Sequence, residues 1–452
     1  MNAGVDSDLG TNVYAEQLVA AVKRGDVAVA TIDKAVRRIL SLKFQMGLFD
    51  DPFVDEKQAV QLVASSEHTG LAREVARQSI VLLKNKDKLL PLKKDIRTLA
   101  VIGPNADNVY NMLGDYTAPQ ADGTVVTVLD GIRQKVSKET RVLYAKGCAV
   151  RDSSRTGFKD AIETARNADA VVMVMGGSSA RDFSSEYEET GAAKVTINQI
   201  SDMESGEGYD RATLHLMGRQ LELLEEISRL GKPVVLVLIK GRPLLMEGAI
   251  QEAEAIVDAW YPGMQGGNAV ADVLFGDYNP AGRLTLSVPR SVGQLPVYYN
   301  TRRKGNRSRY IEEPGTPRYP FGYGLSYTTF SYTDMKVQVT EGSDDCRVDV
   351  TVTIQNQGTA DGDEVAQLYF RDDVSCFTTP AKQLRAFSRI HLKAGESREV
   401  TFTLDKKSLA LYMQEGEWVV EPGRFTIMVG GSSEDIACRQ AFEINRKYTF
   451  KM

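Results

Sequence analysis

Ala170-Val171-Val172-Met173-Val174-Met175 is an unbroken apolar run ending at Gly176-Gly177, and a long polar stretch follows it as far as Asp210. A continuous apolar segment of this length, bounded by turn formers, fits a strand buried on both faces, as in parallel sheets covered by helices. Runs of the same kind recur at 99–102, 142–144, 234–239, 255–260 and 284–288. Between them, residues 128–136, 157–168, 219–229 and 267–274 repeat apolar positions at the helical period. Strands alternating with amphipathic helices predict a mostly parallel sheet with helices on each face, an α/β/α sandwich over 98–290.

Upstream, residues 14–24 and 31–46 have helical spacing, with Ile32, Val36, Ile39 and Leu40 on one face, Thr31 placed as an N-cap and Gly47 as a stop. A third helix is expected over 67–84, where Leu71, Val75, Ala76, Ile80 and Leu83 recur on one side before the break at Pro91. These segments divide into 1–50 and a linker with helix over 51–97. Downstream, the Pro-, Gly-, Tyr- and Arg-rich stretch around 291–335 reads as an extended connector. Strict alternation then sets in over 336–452: Val348, Val350, Val352 and Ile354, then Val400, Phe402 and Leu404, then Phe425, Ile427 and Val429 after the turn Glu421-Pro422-Gly423. Short alternating strands in series predict a β-sandwich.

The polar stretch from Gly177 to Asp210 is longer than the roughly 12 to 15 residues at which a structureless connection becomes either functional or disordered. Within it, Gly206-Glu207-Gly208-Tyr209-Asp210-Arg211 sets one carboxylate between two glycines. The residues alone leave two readings open, a solvated acidic loop or a carboxylate that carries chemistry. Gly176-Gly177-Ser178-Ser179 after a strand could cradle a phosphate, but neither a G-x-G-x-x-G nor a Walker lysine pattern follows.

With 452 residues, a formal net charge of −5 and a pI near 5.6, the chain has no basic footprint for nucleic acid. No window approaches the ~18 apolar residues of a membrane span, and the first 30 residues lack the charged and apolar regions of a signal peptide. Four cysteines, Cys148, Cys346, Cys376 and Cys438, and three histidines, His68, His215 and His391, show no C-x-x-C spacing and do not suit zinc. Free thiols are the expectation, with one disulfide in the C-terminal third as the alternative.

Separated segments resemble glycoside hydrolase family 3, the β-glucosidase and β-xylosidase family. They are Asn2-Ala3-Gly4-Val5-Asp6, Arg37-Arg38-Ile39-Leu40 with Gly47-Leu48-Phe49-Asp50, Ser79-Ile80-Val81-Leu82-Leu83-Lys84-Asn85, Leu89-Leu90-Pro91-Leu92 and Val101-Ile102-Gly103-Pro104-Asn105-Ala106. The loop from Gly206 to Arg211 and the stretch from Tyr319 to Tyr327 complete the series, in the family's order. The resemblance implies that the sandwich is a fibronectin type III-like domain and that residues 1–50 are the last strand and helix of a (β/α)8 barrel.

It also implies a retaining exo-acting glycosidase that releases terminal β-linked sugars without a cofactor. Two carboxyl groups about 5 to 5.5 Å apart then share the work, one as nucleophile and one as general acid and base. Glu207 matches the acid/base position, with Asp210 and Arg211 paired in support of its loop. The family's nucleophile is an Asp in a Ser-Asp-Trp motif, and none occurs here, since Trp260 and Trp418 follow Ala259 and Glu417. A complete barrel takes about 250 residues, so the nucleophile is expected to precede Asn2. Asp6 and Asp8 are not its replacements. Glu186, Glu188, Glu189 and Glu204 are read as solvated loop carboxylates.

The expected partners are a β-linked glycoside and the missing barrel segment. Exposed apolar helix faces in the first 50 residues imply self-association, or disorder there. The alternatives are a non-catalytic carbohydrate-binding or scaffold fragment and, more remotely, a nucleotide-binding α/β domain. Glucose and xylose specificity are not separable, and localisation is open, although the family is often periplasmic or secreted.

Overall fold

A computed structural model describes residues 1–180, 202–302, 310–413 and 416–451. Among these, Met1–Thr69 cluster as one unit, and Gly70–Ala180 with the residues from Asp202 onward form another. The first unit is helical: α1 (Val13–Arg24), α2 (Val29–Gln45), α3 (Glu56–Leu62) and the start of α4 (Ser66–Ser79). Gly25 closes α1 with a left-handed φ of 81°, and the Gly47 amide bonds Phe44 O at 3.0 Å just past α2, as its spacing predicted. Thr31 is not a cap; Ala28 precedes the helix and Thr31 lies inside its first turn. The only buried residue in α1 to α3 is Ala35. None of the described helices is long and apolar enough to cross a membrane.

The second unit is built on a six-stranded sheet, β1 (Val81–Asn85), β2 (Thr98–Ile102), β3 (Arg141–Ala145), β4 (Ala170–Gly176), β5 (Val234–Ile239) and β6 (Ala255–Trp260). In space the order is β1-β6-β5-β4-β2-β3, with β1 antiparallel to β6 and the other pairs parallel. Two sequence expectations fail here. The third helix ends at Ser79, and Val81–Asn85 is an edge strand, because Val81, Leu82 and Leu83 are all buried and no single helix face can bury three consecutive side chains. The sheet therefore starts ahead of residue 98. Conversely, residues 284–288 join no sheet. Leu284 and Val288 bond the 319–323 segment instead, through Leu284 N to Tyr323 O at 2.9 Å and Val288 N to Tyr319 O at 2.8 Å.

Strand side chains alternate between two apolar layers. Val101, Val172, Val174, Val235 and Val237 pack with α5 (Val128–Lys135) and α9 (Gly266–Leu274), while Ile102, Met173, Leu236 and Leu238 pack with α6 (Phe158–Arg166), α7 (Gln220–Ser228) and α8 (Glu247–Glu252). The helices carry their apolar stripes inward and the sheet is covered on both faces. Asp272 of α9 is wholly buried and ties three elements together: Arg73 and Arg77 of α4 approach it at 2.7 Å and Lys135 of α5 at 2.5 Å.

After residue 330 the chain forms β7 (Phe330–Glu341), β8 (Cys346–Asn356), β9 (Gly362–Asp372), β10 (Gln383–Leu392), β11 (Ser397–Asp405), β12 (Leu411–Tyr412), β13 (Glu417–Val420), β14 (Gly423–Gly430), β15 (Ile436–Ile444) and β16 (Tyr448–Lys451). Sheets ordered β10-β9-β14-β15 and β11-β8-β7 bury the predicted faces, Val348 to Ile354, Val400 to Leu404 and Phe425 to Val429, in one core. All four cysteines are free, with Cys148 and Cys346 buried and Cys376 exposed.

Candidate active site

The parallel strands reverse their order of addition between β2 and β4, since β3 lies on one side of β2 and β4 on the other. In open α/β sheets ligands bind beyond the carboxyl ends of the strands at such a reversal. Here the loop after β2 is laced to the loop after β4. Asn105 Nδ2 donates to Gly177 O at 3.1 Å, Asn111 Nδ2 to Asn105 Oδ1 at 2.7 Å, and Ser178 Oγ to Asn111 Oδ1 at 2.6 Å. Buried amide and hydroxyl groups that satisfy one another hold both loops to a single geometry.

Glu207 stands exposed above this base. Its neighbours Gly206 and Gly208 have φ of 110° and 79°, a region that side-chain-bearing residues rarely adopt. A Cβ at 206 would also lie 2.9 Å from Asp115 Oδ2. Glu207 Oε2 accepts a hydrogen bond from the Tyr116 hydroxyl, and the Glu207 amide donates to Asp115 Oδ2 at 3.4 Å. Asp115 and Tyr116 come from the loop after β2, and reading the sequence passed over them. The turn-forming Gly114 ahead of an acid and an aromatic, in the long connection after β2, was the available signal.

Below the tip, Glu204 is buried and Arg211 Nη1 meets its Oε2 at 2.5 Å. Arg211 therefore does not pair with Asp210, which is exposed; a buried carboxylate offers the guanidinium a desolvated partner that an exposed one cannot match. Glu204 likewise is not a solvated loop carboxylate. Arg211 Nη2 also donates to His215 O. Ser205 Oγ and the Tyr261 hydroxyl lie 3.0 Å apart, and burial pushes the Tyr261 phenol upward in pKa. Glu186, Glu188 and Glu189 lie outside the described residues.

The phosphate-cradle reading meets a physical obstacle. The Gly176 amide donates to Gln220 Oε1 at 2.8 Å and the Gly177 amide to Ile239 O at 2.8 Å, so neither is offered to an anion. A Cβ at 177 would fall 2.0 Å from Glu204 Oε1, so a carboxylate already occupies the space. In the helical unit, Asp6 pairs with Arg38 at 2.8 Å and Asp8 accepts the Tyr14 amide at 3.1 Å. Both serve local structure.

The second unit is thus an α/β/α domain that presents one carboxylate, flexed on glycines and met by a phenol, above its strand ends, with a β-sandwich after it. Residues 80–327 match the glycosyl hydrolase family 3 C-terminal domain and residues 364–433 the fibronectin type III-like domain. The chain belongs to glycosyl hydrolase family 3. Among its relatives are a periplasmic β-glucosidase of Salmonella typhimurium, 38% identical over 96% of this chain and 58% of the relative, and a β-xylosidase of Formosa agariphila, 41% identical over 96% and 59%. A crystal structure of a β-glucosidase from Listeria innocua in complex with glucose superposes with a TM-score of 0.84 at 32% identity, covering 99% of this chain and 59% of that one. The chain spans under three fifths of the length of these relatives.

Proposed function

We propose that this chain is the acid/base half of a retaining exo-β-glycosidase that acts on terminal β-linked glucose or xylose, and that Glu207 is the general acid and base. The observation that carries the reading is the placement of Glu207. It is the exposed carboxylate at the tip of a loop flanked by positive-φ glycines, beyond the carboxyl end of β4, and a phenol already hydrogen-bonds to it. Tyr116 orients the carboxyl group. The glycines let the backbone come close to a sugar. Protonated, Glu207 donates to the departing glycosidic oxygen; deprotonated, it takes a proton from the water that releases the sugar.

The nucleophile of this reading lies outside residues 1–452, on a (β/α)8 barrel to which α1 and α2 also belong. The chain alone then hydrolyses glycosides negligibly, because the covalent route needs both carboxylates. A non-catalytic carbohydrate-binding or scaffold role is the second reading; the fixed, solvent-facing presentation of Glu207 favours the first.

The test is made with the barrel portion present, in cis or in trans. Glu207→Ala should slow unactivated disaccharides far more than activated aryl glycosides, whose leaving groups need little protonation, and azide should restore the second step. Retained activity on disaccharides would remove Glu207 from the role.

A further inference from the structure

We propose that Glu204 is the positioning residue of the Glu207 loop, a buried anchor that gathers two guanidinium groups and through them holds the acid/base in register with Tyr116; this rests on the acid/base reading of Glu207. Only two residues separate a side chain that is 1% exposed from one that faces solvent, so the same short stretch holds a buried and an exposed carboxylate. Upstream of the tip, the Glu204 amide donates to Ser178 O at 2.8 Å and Ser205 Oγ lies against the Tyr261 hydroxyl. Downstream, two arginines grip the backbone: Arg242 Nη2 donates to Tyr209 O at 3.1 Å and Arg211 Nη2 donates to His215 O. Both arginines face the same carboxylate oxygen, Glu204 Oε2, Arg211 at 2.5 Å and Arg242 at 3.9 Å. Glu204 is the common counter-charge of the two grips.

Between those fixed points stand Gly206 and Gly208, which give the backbone no stiffness of their own. The aim of Glu207 therefore depends on the points that bracket it. Stability alone does not account for the arrangement. A buried carboxylate loses its hydration, and here the compensation is incomplete: Glu204 Oε1, Arg242 Nε and Ser179 Oγ are all buried without a hydrogen-bond partner. A buried ionic cluster of that kind adds little net stability and is better suited to imposing one geometry.

The 452-residue chain, with tyrosines labelled at 13Cζ, tests the anchor without any turnover. The Tyr116 resonance is assigned through Tyr116→Phe, and its position without the carboxylate acceptor is set by Glu207→Ala. Glu204→Gln should move the Tyr116 signal most of the way to the Glu207→Ala position and speed amide exchange across 206–209 by about tenfold or more, while exchange in β4 and β5 stays slow. A Tyr116 signal and loop exchange that stay at their wild-type values would overturn the proposal. Should Glu204→Gln fail to fold, Arg211→Lys keeps the charge but loses the planar fork. It should move the same signal in the same direction, and an unmoved signal counts against the anchor equally.

The two readings fail separately. A Tyr116 signal that shifts on Glu204→Gln, with a flat leaving-group profile for Glu207→Ala, leaves the anchor standing and removes the acid/base role. A steep leaving-group profile with an unmoved Tyr116 signal does the reverse.

Discussion

Two buried aspartates show how one residue type takes opposite roles according to its partners. Burial alone would raise the Asp272 carboxyl, but hydrogen bonds from Arg73, Lys135 and Arg77 outweigh it and hold the group at about 2. Its native pKa lies below the unfolded value, so the stability it contributes is complete above about pH 4 and is lost as the pH falls toward 2. Asp272→Asn leaves three cations facing a neutral amide and should cost about 3 kcal/mol at pH 7, a loss that shrinks at pH 2.5 in denaturant titrations. Asp372 is the converse case. Burial first, then the charge of Glu421, push it up to about 6, and its Oδ1 has no hydrogen-bond partner. With a raised native value, its contribution is present below about pH 4 and is lost as the pH rises through about 6. Asp372→Asn should therefore stabilise the sandwich, by on the order of 2 kcal/mol at pH 8 and about half that at pH 5, read as a shift in its thermal midpoint. Equal gains at the two pH values would contradict this account. Neither aspartate stood out in the sequence, because the partners that divide them are remote along the chain.

Among the elements, the edge strand β1 is the instructive one. Ile80 and Leu83 continue a helical repeat begun at Leu71, and in isolation that repeat is a fair description of 67–84. The competing fact is that Val81, Leu82 and Leu83 are all buried, which an antiparallel pairing with β6 achieves and a helix cannot. A polar or glycine substitution at Leu82 should thus destabilise the sheet as a core strand does. Leu82→Ala is expected to cost about 2 to 4 kcal/mol in equilibrium unfolding, against a small effect for Leu71→Ala, since Leu71 is 64% exposed. By contrast β4, β5 and β6 were legible almost to the residue, because apolar runs of that length between turns have few other uses.

For the molecule as a whole, the first 69 residues hold most of the exposed large apolar side chains among the described residues, including Leu42, Phe44, Met46, Phe49, Phe53 and Val60. Apolar surface of this extent is uncommon on a monomeric protein. Light scattering should therefore find self-association that increases with concentration, and trimming residues 1–65 should reduce it. A compact monomer whose first 65 residues resist protease would count against this. In assays with aryl β-glucosides and β-xylosides the 452-residue chain should turn over negligibly, and robust turnover abolished by Glu207→Ala would show that a nucleophile lies within it.

The sequence by itself determined the order of the layers and singled out the loop on which the proposed role of Glu207 rests. Apolar runs between turns mark buried strands, strict alternation marks a half-buried sandwich, and a glycine-flanked acid in an overlong polar connection makes Glu207 a candidate that the family resemblance then favours. Those signals are local, carried by residues next to one another. Only the tertiary structure decided that Tyr116 meets Glu207, that Arg211 turns to Glu204 rather than to its neighbour Asp210, and that 81–85 rather than 284–288 supplies the sixth strand. Each of those outcomes depends on which distant groups share a desolvated space, and burial and charge pairing across the fold have no counterpart in the spacing of residues along the chain.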